Sequence, residues 1–284
     1  MSGDPAGVTV GFIGLGRMGG AMAGHLLAAG HRVVGVDASP DARDAGQSLG
    51  VELAALHDLR GPVVMSSLPG DAEVEEVYLG GLLDGLEPGS LCLDLSTVDV
   101  SLSRRIALAA VDLGHQFLDC PVSGTSVHAR AGTLAVMVGG DAEAVERARP
   151  FLSVFSSSIH HVGGNGSGLE MKLITNRLLN AHLVAIAEAI LEMDEAGLDP
   201  EPCIELLRQG AVPRLLDYKA GAMAARDHAP LFTVDLMAKD LGLADNRRTA
   251  GPVGETAAAI LRRAQSQGWG PSDISAVIEV LGAD

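Results

Sequence analysis

Hydrophobic and polar positions follow two different periods along this chain, and the change falls near residue 163. Ahead of it, short apolar runs occupy 8–13, 31–36, 62–68, 90–95, 116–119, 133–138 and 158–162, separated by helix-period stretches at 17–29, 40–49, 72–79, 100–113 and 142–155. Short apolar runs bounded by turn residues read as buried strands. Their alternation with amphipathic helices is the βαβ pattern of a mostly parallel sheet covered on both faces. Past residue 163 the strand signal stops. Gly163-Gly164-Asn165-Gly166-Ser167-Gly168 leads into an apolar-periodic run, free of Pro and Gly, that continues to about Ala196. That is long for a globular helix and suits one that links two domains. Shorter helical runs follow at 200–209, 214–225, 234–249, 253–267 and 273–281. The expected architecture is α/β: a nucleotide-type domain over 1–163, a long interdomain helix over 164–196 and an all-α domain over 197–284.

The length of 284 residues accommodates that plan, since about 100–200 residues per domain is usual. Composition then narrows the function classes. The apolar fraction is 47% but only 3% is aromatic, so the core must be aliphatic and Ala-rich. Acidic side chains outnumber basic ones 36 to 20, for a net charge of −16, and no Lys/Arg run offers a local exception. Such a chain repels phosphodiester backbones, and no nucleic-acid partner is expected. No apolar stretch reaches the roughly 18 residues of a membrane span. Residues 1–5 lack the basic and apolar regions of a signal peptide. Cys92, Cys120 and Cys203 fall in three segments at no metal-ligand spacing, as free thiols of a reducing compartment do. The expectation is a soluble, cytoplasmic protein without a metal site.

The sharpest local signal is the run from Val8 to Gly19, where Gly14, Gly16 and Gly19 stand between an apolar strand and a helix start. A G-x-G-x-x-G motif in that context is a dinucleotide fingerprint. The first glycine allows the tight turn, the second lets the backbone approach a pyrophosphate, and the third permits close helix–strand packing. Gly14, Leu15, Gly16, Arg17, Met18 and Gly19 are therefore candidate cofactor contacts, with the helix N-terminus aimed at the phosphates. Asp37 closes the second strand, where a carboxylate can accept hydrogen bonds from both adenosine ribose hydroxyls and repel a 2′-phosphate. NAD is expected over NADP, although Arg43 lies close in sequence.

Further segments, taken with this fingerprint, resemble the β-hydroxyacid dehydrogenases, the 3-hydroxyisobutyrate dehydrogenase family. Residues 11–22 (GFIGLGRMGGAM) are close to that family's opening motif. Residues 119–134 (DCPVSGTSVHARAGTL) resemble its substrate motif, usually D-A-P-V-S-G-G. Residues 163–176 (GGNGSGLEMKLITN) resemble its catalytic motif G-x-x-G-x-G-x-x-x-K-x-x-x-N, and 232–243 contain its Lys239-Asp240-Leu241 segment. Leu68-Pro69 and Ser96-Thr97 also match, so the likeness runs in order from residue 8 to at least 250. The resemblance implies a Rossmann-type domain, a long interdomain helix, a helical C-terminal domain and an active site in the cleft between the domains. It also implies a homodimer or homotetramer.

Carried over residue by residue, the resemblance makes Lys172 the catalytic residue. Ser123, Gly124 and Asn176 would hold the substrate carboxylate and hydroxyl. Leu68, Pro69, Thr97 and Lys239 would contact the cofactor. The residues themselves add that Lys172 and Asn176 stand at i and i+4, on one helix face continued by Leu179 and Leu183. An ammonium on an apolar stripe is costly unless paired. To act as a base at neutral pH a lysine must titrate well below the usual value of about 10.4, and burial beside a second cation would achieve that. The implied reaction is hydride exchange between NAD and a small β-hydroxyacid or its semialdehyde.

Two departures from the family pattern bear on the substrate. Thr125 replaces the second glycine of the substrate loop, where it would narrow or re-aim the acid pocket, and Thr175 replaces the asparagine common before Asn176. His128 reads as an ordinary loop residue, Ser156-Ser157-Ser158 as a turn, and Cys120 as a small buried residue. His160-His161 lacks a third ligand. Glu188, Glu192 and Glu195 follow helical spacing as a solvated stripe. Trp269 reads equally as a cleft residue or a subunit contact. Competing readings are an imine reductase, opposed by the presence of Lys172, a 6-phosphogluconate-type enzyme, opposed by the lack of a basic cluster, and a non-catalytic dinucleotide-binding protein.

Overall fold

Strands buried on both faces organise the N-terminal part of the chain. The computed structural model describes residues 7–209, 219–245 and 252–281. Two compact units divide it, Met1–Lys172 and Leu173–Asp284. In the first, strands β1 (Thr9–Ile13), β2 (Arg32–Val36), β3 (Glu52–Leu53), β4 (Val63–Ser66), β5 (Leu91–Asp94), β6 (Gln116–Asp119), β7 (Val122–Ser123), β8 (Leu134–Gly139) and β9 (Ser156–Gly163) share one sheet. Their order is β3-β2-β1-β4-β5-β6-β8-β7, with β9 paired to β8. From β3 to β6 every pairing is parallel, whereas β8 runs antiparallel to β6 and β7. The chain reverses direction of travel across the sheet between β1 and β4, and at such a switch point the carboxyl ends of the strands open a ligand crevice.

The connecting helices are α1 (Gly19–Ala28), α2 (Pro40–Leu49), α3 (Asp71–Val77), α4 (Val100–Asp112), α5 (Ser126–Ala131) and α6 (Ala142–Leu152). Local residues set their limits. Ser39 accepts a hydrogen bond from the Ala42 N–H, Pro40 follows at the first helical position, and Gly50 ends α2 in the left-handed conformation at φ 101°. Asp99 and Asp141 cap α4 and α6 in the same way. Positions of β4 and β5 are buried throughout, as parallel strands covered on both faces require. Val10, Phe12, Met22, Leu26, Met65, Leu93, Leu118 and Phe151 belong to the core they close.

Several boundaries differ from the sequence reading. β3 and β7 are only two residues long, too short for a periodic signal. Helix α5 covers a segment read as a loop, so His128 is helical. Ser156, Ser157 and Ser158 belong to β9 and are not a turn. The β8 ladder pairs Leu134 with Ser156 and Ala135 with Ser158, and the Ser156 and Ser157 hydroxyls donate to the carbonyls of Leu152 and Thr133. The fingerprint helix starts at Gly19 rather than at residue 17. α3 ends at Val77 in a wider turn through Gly81, whose φ of 125° no ordinary helix contains.

Helix α7 (Ser167–Glu195) is the long helix, 29 residues from the glycine-rich segment onward. The second unit continues with α8 (Pro200–Arg208), α9 (Val234–Asp245), α10 (Pro252–Ala264) and α11 (Val277–Leu281). Parts of the expected runs at 214–225 and 234–249 lie outside the described residues. Leu183, Ala187, Ile190, Met237, Leu241, Leu261 and Ile274 belong to this unit's own core. Trp269 packs on that core and meets the His228 ring edge-on at 5.7 Å.

A buried ion pair ties this unit together. Lys219 Nζ lies 2.7 and 2.9 Å from the two Asp273 oxygens, and Asp273 also accepts the N–H groups of Leu231, Phe232 and Ser275. Burial pushes the Asp273 carboxyl up, but the Lys219 hydrogen bond and charge, with the backbone donors, outweigh it and hold the group below its ordinary value. A carboxyl lowered in the folded state contributes stability above its unfolded pKa and loses it as the pH falls through the folded one. Asp273→Asn leaves the lysine buried and uncompensated and is expected to cost about 3–5 kcal/mol at neutral pH. In thermal melts the gap between parent and variant should narrow as the pH falls below about 4. A gap that stays constant down to about pH 2 would refute the assignment.

Candidate active site

The three fingerprint glycines have three different environments. A Cβ on Gly14, at φ +89°, would lie 2.2 Å from the Ser67 carbonyl oxygen, and the Gly14 N–H donates to Val36 O at 2.8 Å. On Gly19 a Cβ would meet the Gly14 carbonyl oxygen at 1.9 Å and the Phe12 ring at 3.0 Å. These two glycines thus let the loop touch β4 and let α1 press against β1. A Cβ on Gly16 meets nothing within 4 Å. Gly16 and Arg17 are exposed, so backbone at the mouth of the loop stands clear where a pyrophosphate would approach. Leu15 is buried, and Met18 is half-buried against the core.

Asp37 does more than close β2. Its Oδ2 accepts the Leu15 N–H at 2.6 Å and its Oδ1 accepts the Ser39 N–H at 2.7 Å. The carboxylate therefore fixes the glycine loop. Each oxygen keeps a further lone pair for ribose hydroxyls. The Arg43 guanidinium reaches the Asp37 carbonyl oxygen at 3.4 Å.

At the ends of β4 and β5, a buried network aligns the next two loops. The Asp94 carboxylate accepts the Ser66 hydroxyl at 2.7 Å and the Ser96 N–H at 3.1 Å, and Tyr78 OH lies 2.8 Å from Ser66 Oγ. Ser96 Oγ in turn accepts the Leu68 N–H at 2.9 Å. The loops bearing Leu68, Pro69 and Thr97 are thus held at one level along the carboxyl edge of the sheet. Burial pushes the Asp94 carboxyl up, the serine hydrogen bonds pull it down, and neighbouring Asp119 raises it again, for a net rise.

Asp119, in register with Asp94 on the next strand, holds the start of α7. Its Oδ1 accepts the Gly166 N–H at 2.6 Å and its Oδ2 accepts the Leu169 N–H at 2.9 Å. Burial raises its carboxyl, and the N–H groups of Gly166, Leu169 and Gly168 oppose that rise without cancelling it. Asn165 Nδ2 donates to Phe117 O at 2.7 Å, and the His161 Nε2–H lies 2.9–3.0 Å from the carbonyls of Gly163 and Gly140. His161 therefore serves the backbone.

Five residues beyond Asp119, the substrate loop turns at Gly124, φ 132°, where a Cβ would strike Leu134 and His128 at 2.8 and 2.9 Å. Ser123 is half-buried and Gly124 exposed. Thr125 accepts the Val127 N–H, and its own N–H donates to His128 Nδ1 at 3.1 Å, a reciprocal cap for α5. Thr125, expected to narrow or re-aim the acid pocket, also caps this helix through its hydroxyl.

Lys172 is 9% exposed and Asn176 only 2%. In the helical unit, Asn176 Nδ2 donates to Asp240 Oδ2 at 2.6 Å, and Lys239 Nζ lies 3.2 Å from Asp240 Oδ1. An ionised carboxylate only accepts, so this bond settles which end of the amide faces Asp240. The Asn176 oxygen is left to accept from other donors. Asp240 was given no role of its own in the sequence reading, although it adjoins Lys239, and an acid beside a site lysine was the available signal. Cys120 is fully buried, and burial holds its thiol well above the ordinary range. Among the described residues no three His, Cys, Asp or Glu side chains are arranged to hold a metal ion, and no helix is long and apolar enough to cross a membrane.

Two family models match nearly end to end: the NAD-binding domain of 6-phosphogluconate dehydrogenase over residues 9–163, and the NAD-binding region of NADP-dependent 3-hydroxyisobutyrate dehydrogenase over residues 166–281. The chain belongs to the β-hydroxyacid dehydrogenase family. An NAD-dependent L-serine dehydrogenase of Pseudomonas aeruginosa is 38% identical over 94% of this chain and 96% of its own. A 3-hydroxyisobutyrate dehydrogenase of the same organism is 41% identical over 83% of each. The structure of the Mycobacterium tuberculosis 3-hydroxyisobutyrate dehydrogenase with L-serine superposes with a TM-score of 0.87 at 32% identity, covering 98% of this chain and 100% of that one. As a β-hydroxyacid dehydrogenase the protein is a nicotinamide-dependent oxidoreductase of CH–OH groups, with NAD as its cofactor.

Two outcomes follow for this β-hydroxyacid dehydrogenase. Asp37 should hold kcat/KM for NAD⁺ at least about tenfold above that for NADP⁺, and Asp37→Ala should erase most of the difference; equal values in the parent would sink the assignment. Asn176→Ala and Asp240→Ala should be non-additive in kcat/KM, with a coupling of about 0.5–3 kcal/mol in a double-mutant cycle. Simple additivity would mean that the bond plays no part in turnover.

Proposed function

We propose that the protein interconverts small β-hydroxyacids and their semialdehydes, with Lys172 carrying the hydroxyl proton. The observation behind this reading is the burial of Lys172, 9% exposed, with Leu169 and Leu173 buried beside it on the helix. NAD, when bound, accepts hydride from the substrate's carbinol carbon. Gly16 and the loop through Gly19 would receive its pyrophosphate, Asp37 its adenosine ribose, and Leu68, Pro69, Thr97 and Lys239 the remainder.

The Ser123 hydroxyl and the Gly124 N–H would take the substrate carboxylate. Lys172 Nζ, as the neutral amine, takes the hydroxyl proton during oxidation, and as the ammonium returns it to the carbonyl oxygen during reduction. Asn176, its amide oriented by Asp240, presents its oxygen as an acceptor and so orients the hydroxyl or the ammonium. The relatives named above act on L-serine and 3-hydroxyisobutyrate, which share a hydroxyl on the carbon β to a carboxylate, and a substrate of that class is proposed here. Met171, Ile174 and Leu178 are 41%, 59% and 59% exposed on one side of α7, an apolar stripe that a homo-oligomer would bury.

Reduced-nicotinamide absorbance with NAD⁺ and a panel of 3-hydroxyacids tests the reading. Lys172→Ala should lose at least about a hundredfold in kcat, the range of a general acid–base, while binding NAD as the parent does. A variant that keeps most of its kcat overturns the role of Lys172, and a parent inactive on every 3-hydroxyacid overturns the substrate class.

A further inference from the structure

We propose that Asp119 is a positioning residue of the reaction: by holding the first turn of α7 it fixes where the Lys172 amine stands. The inference rests on the role given to Lys172 above. Helices α2, α4, α5 and α6 are each capped by the residue immediately before them: Ser39, Asp99, Thr125 and Asp141. Helix α7 has glycine at that place, Gly166 with φ +90°, and recruits a carboxylate from β6 instead. The two hydrogen bonds span 47 and 50 residues of chain. A local serine or aspartate would satisfy the same N–H groups. A remote cap does something a local one cannot: it sets the helix against a particular strand.

The fit around the carboxylate is tight. A Cβ on Gly139 would lie 2.5 and 2.6 Å from the Asp119 oxygens. On Gly168 it would lie 2.9 Å from Oδ2, 2.8 Å from the Asp119 carbonyl oxygen and 2.6 Å from that of Met137. Two glycines thus clear the space for the carboxylate and for the approach of the helix. Helical side chains lean toward the N-terminus, so Lys172 lies back over the turn at Gly168 and Leu169, the turn that Asp119 holds. The segment leaving Asp119 carries Ser123. One carboxylate therefore sets the amine and the carboxylate-binding loop against each other, within the unit that ends at Lys172. Misplacing a reacting group by about 1 Å can cost about a hundredfold in rate.

Asp119→Asn retains one acceptor and turns an N–H₂ toward the Gly166 or Leu169 N–H. Its kcat is expected to fall at least about tenfold, with KM for the hydroxyacid within about threefold and the NAD Kd by calorimetry within about twofold of the parent. A residue that only supported folding would lower the melting temperature and leave kcat of the folded enzyme alone. Gly139→Ala displaces the carboxylate while keeping its charge and the helix sequence, should show the same split, and decides the matter if Asp119→Asn does not fold. A kcat within about twofold of the parent in the folded variants, or a rise in KM alone, overturns the proposal. Failure of Lys172→Ala to lose activity would instead overturn the role of the lysine. Loss in Lys172→Ala together with full kcat in Asp119→Asn would remove the positioning role only.

Discussion

A carboxylate taken out of water needs hydrogen-bond donors, and Asp94 and Asp119 impose that demand side by side at the ends of β5 and β6. Among the described residues no cation pairs with either, so hydroxyls and backbone N–H groups supply the hydrogen bonds. Asp94 draws in Ser66 and Ser96, and through Ser96 the backbone of Leu68. Asp119 draws in the glycine-rich entry to α7. Satisfying two buried acids therefore aligns the loops after β4 and β5 with the first turn of the helix bearing Lys172. Among the described residues the Asp94 Oδ2 has no hydrogen-bond partner, and burial, with Asp119 beside it, raises its carboxyl, so the network is only partly compensated. Its cost is tolerated where geometry matters most.

The same demand explains glycines that composition alone leaves unexplained. Gly139, Gly166 and Gly168 stand in a strand end and a helix start, places where glycine weakens the backbone's own preferences. Each is required by what lies against it: the Asp119 oxygens for Gly139, Val100 and Arg104 for Gly166, and two carbonyls for Gly168. The glycines of the fingerprint divide differently, Gly14 and Gly19 shaping the protein and Gly16 leaving room for a ligand. Spacing identifies such a motif but does not say which glycine does which.

Much of the fold was legible because it is written locally. Parallel strands with apolar interiors, capped helices and the uninterrupted run of α7 all leave periodic traces, and the fingerprint loop and Lys172 stand inside them. What escaped the sequence reading was set by tertiary contact. β3 and β7 exist because a neighbour pairs with two residues. The serines of β9 are strand residues because β8 pairs with their backbone, and the hydroxyls of Ser156 and Ser157 find carbonyls nearby. Asp240 matters because α9 brings it to Asn176, and a pairing across 64 residues is not written in the periodicity of either segment.

The departures from the family pattern show how such contacts change a reading. By sequence, a threonine in place of a glycine adds bulk to the substrate loop. Here the Thr125 backbone is extended, with φ −102° and ψ near 180°, a conformation open to any residue. The threonine hydroxyl and the His128 ring then cap the helix reciprocally, so the two side chains form one device. Because Nδ1 accepts the Thr125 N–H, the neutral ring carries its proton on Nε2. The strain-sensitive element of this loop is Gly124 at φ 132°, crowded by Leu134 and His128, and not the threonine that replaces the family's second glycine.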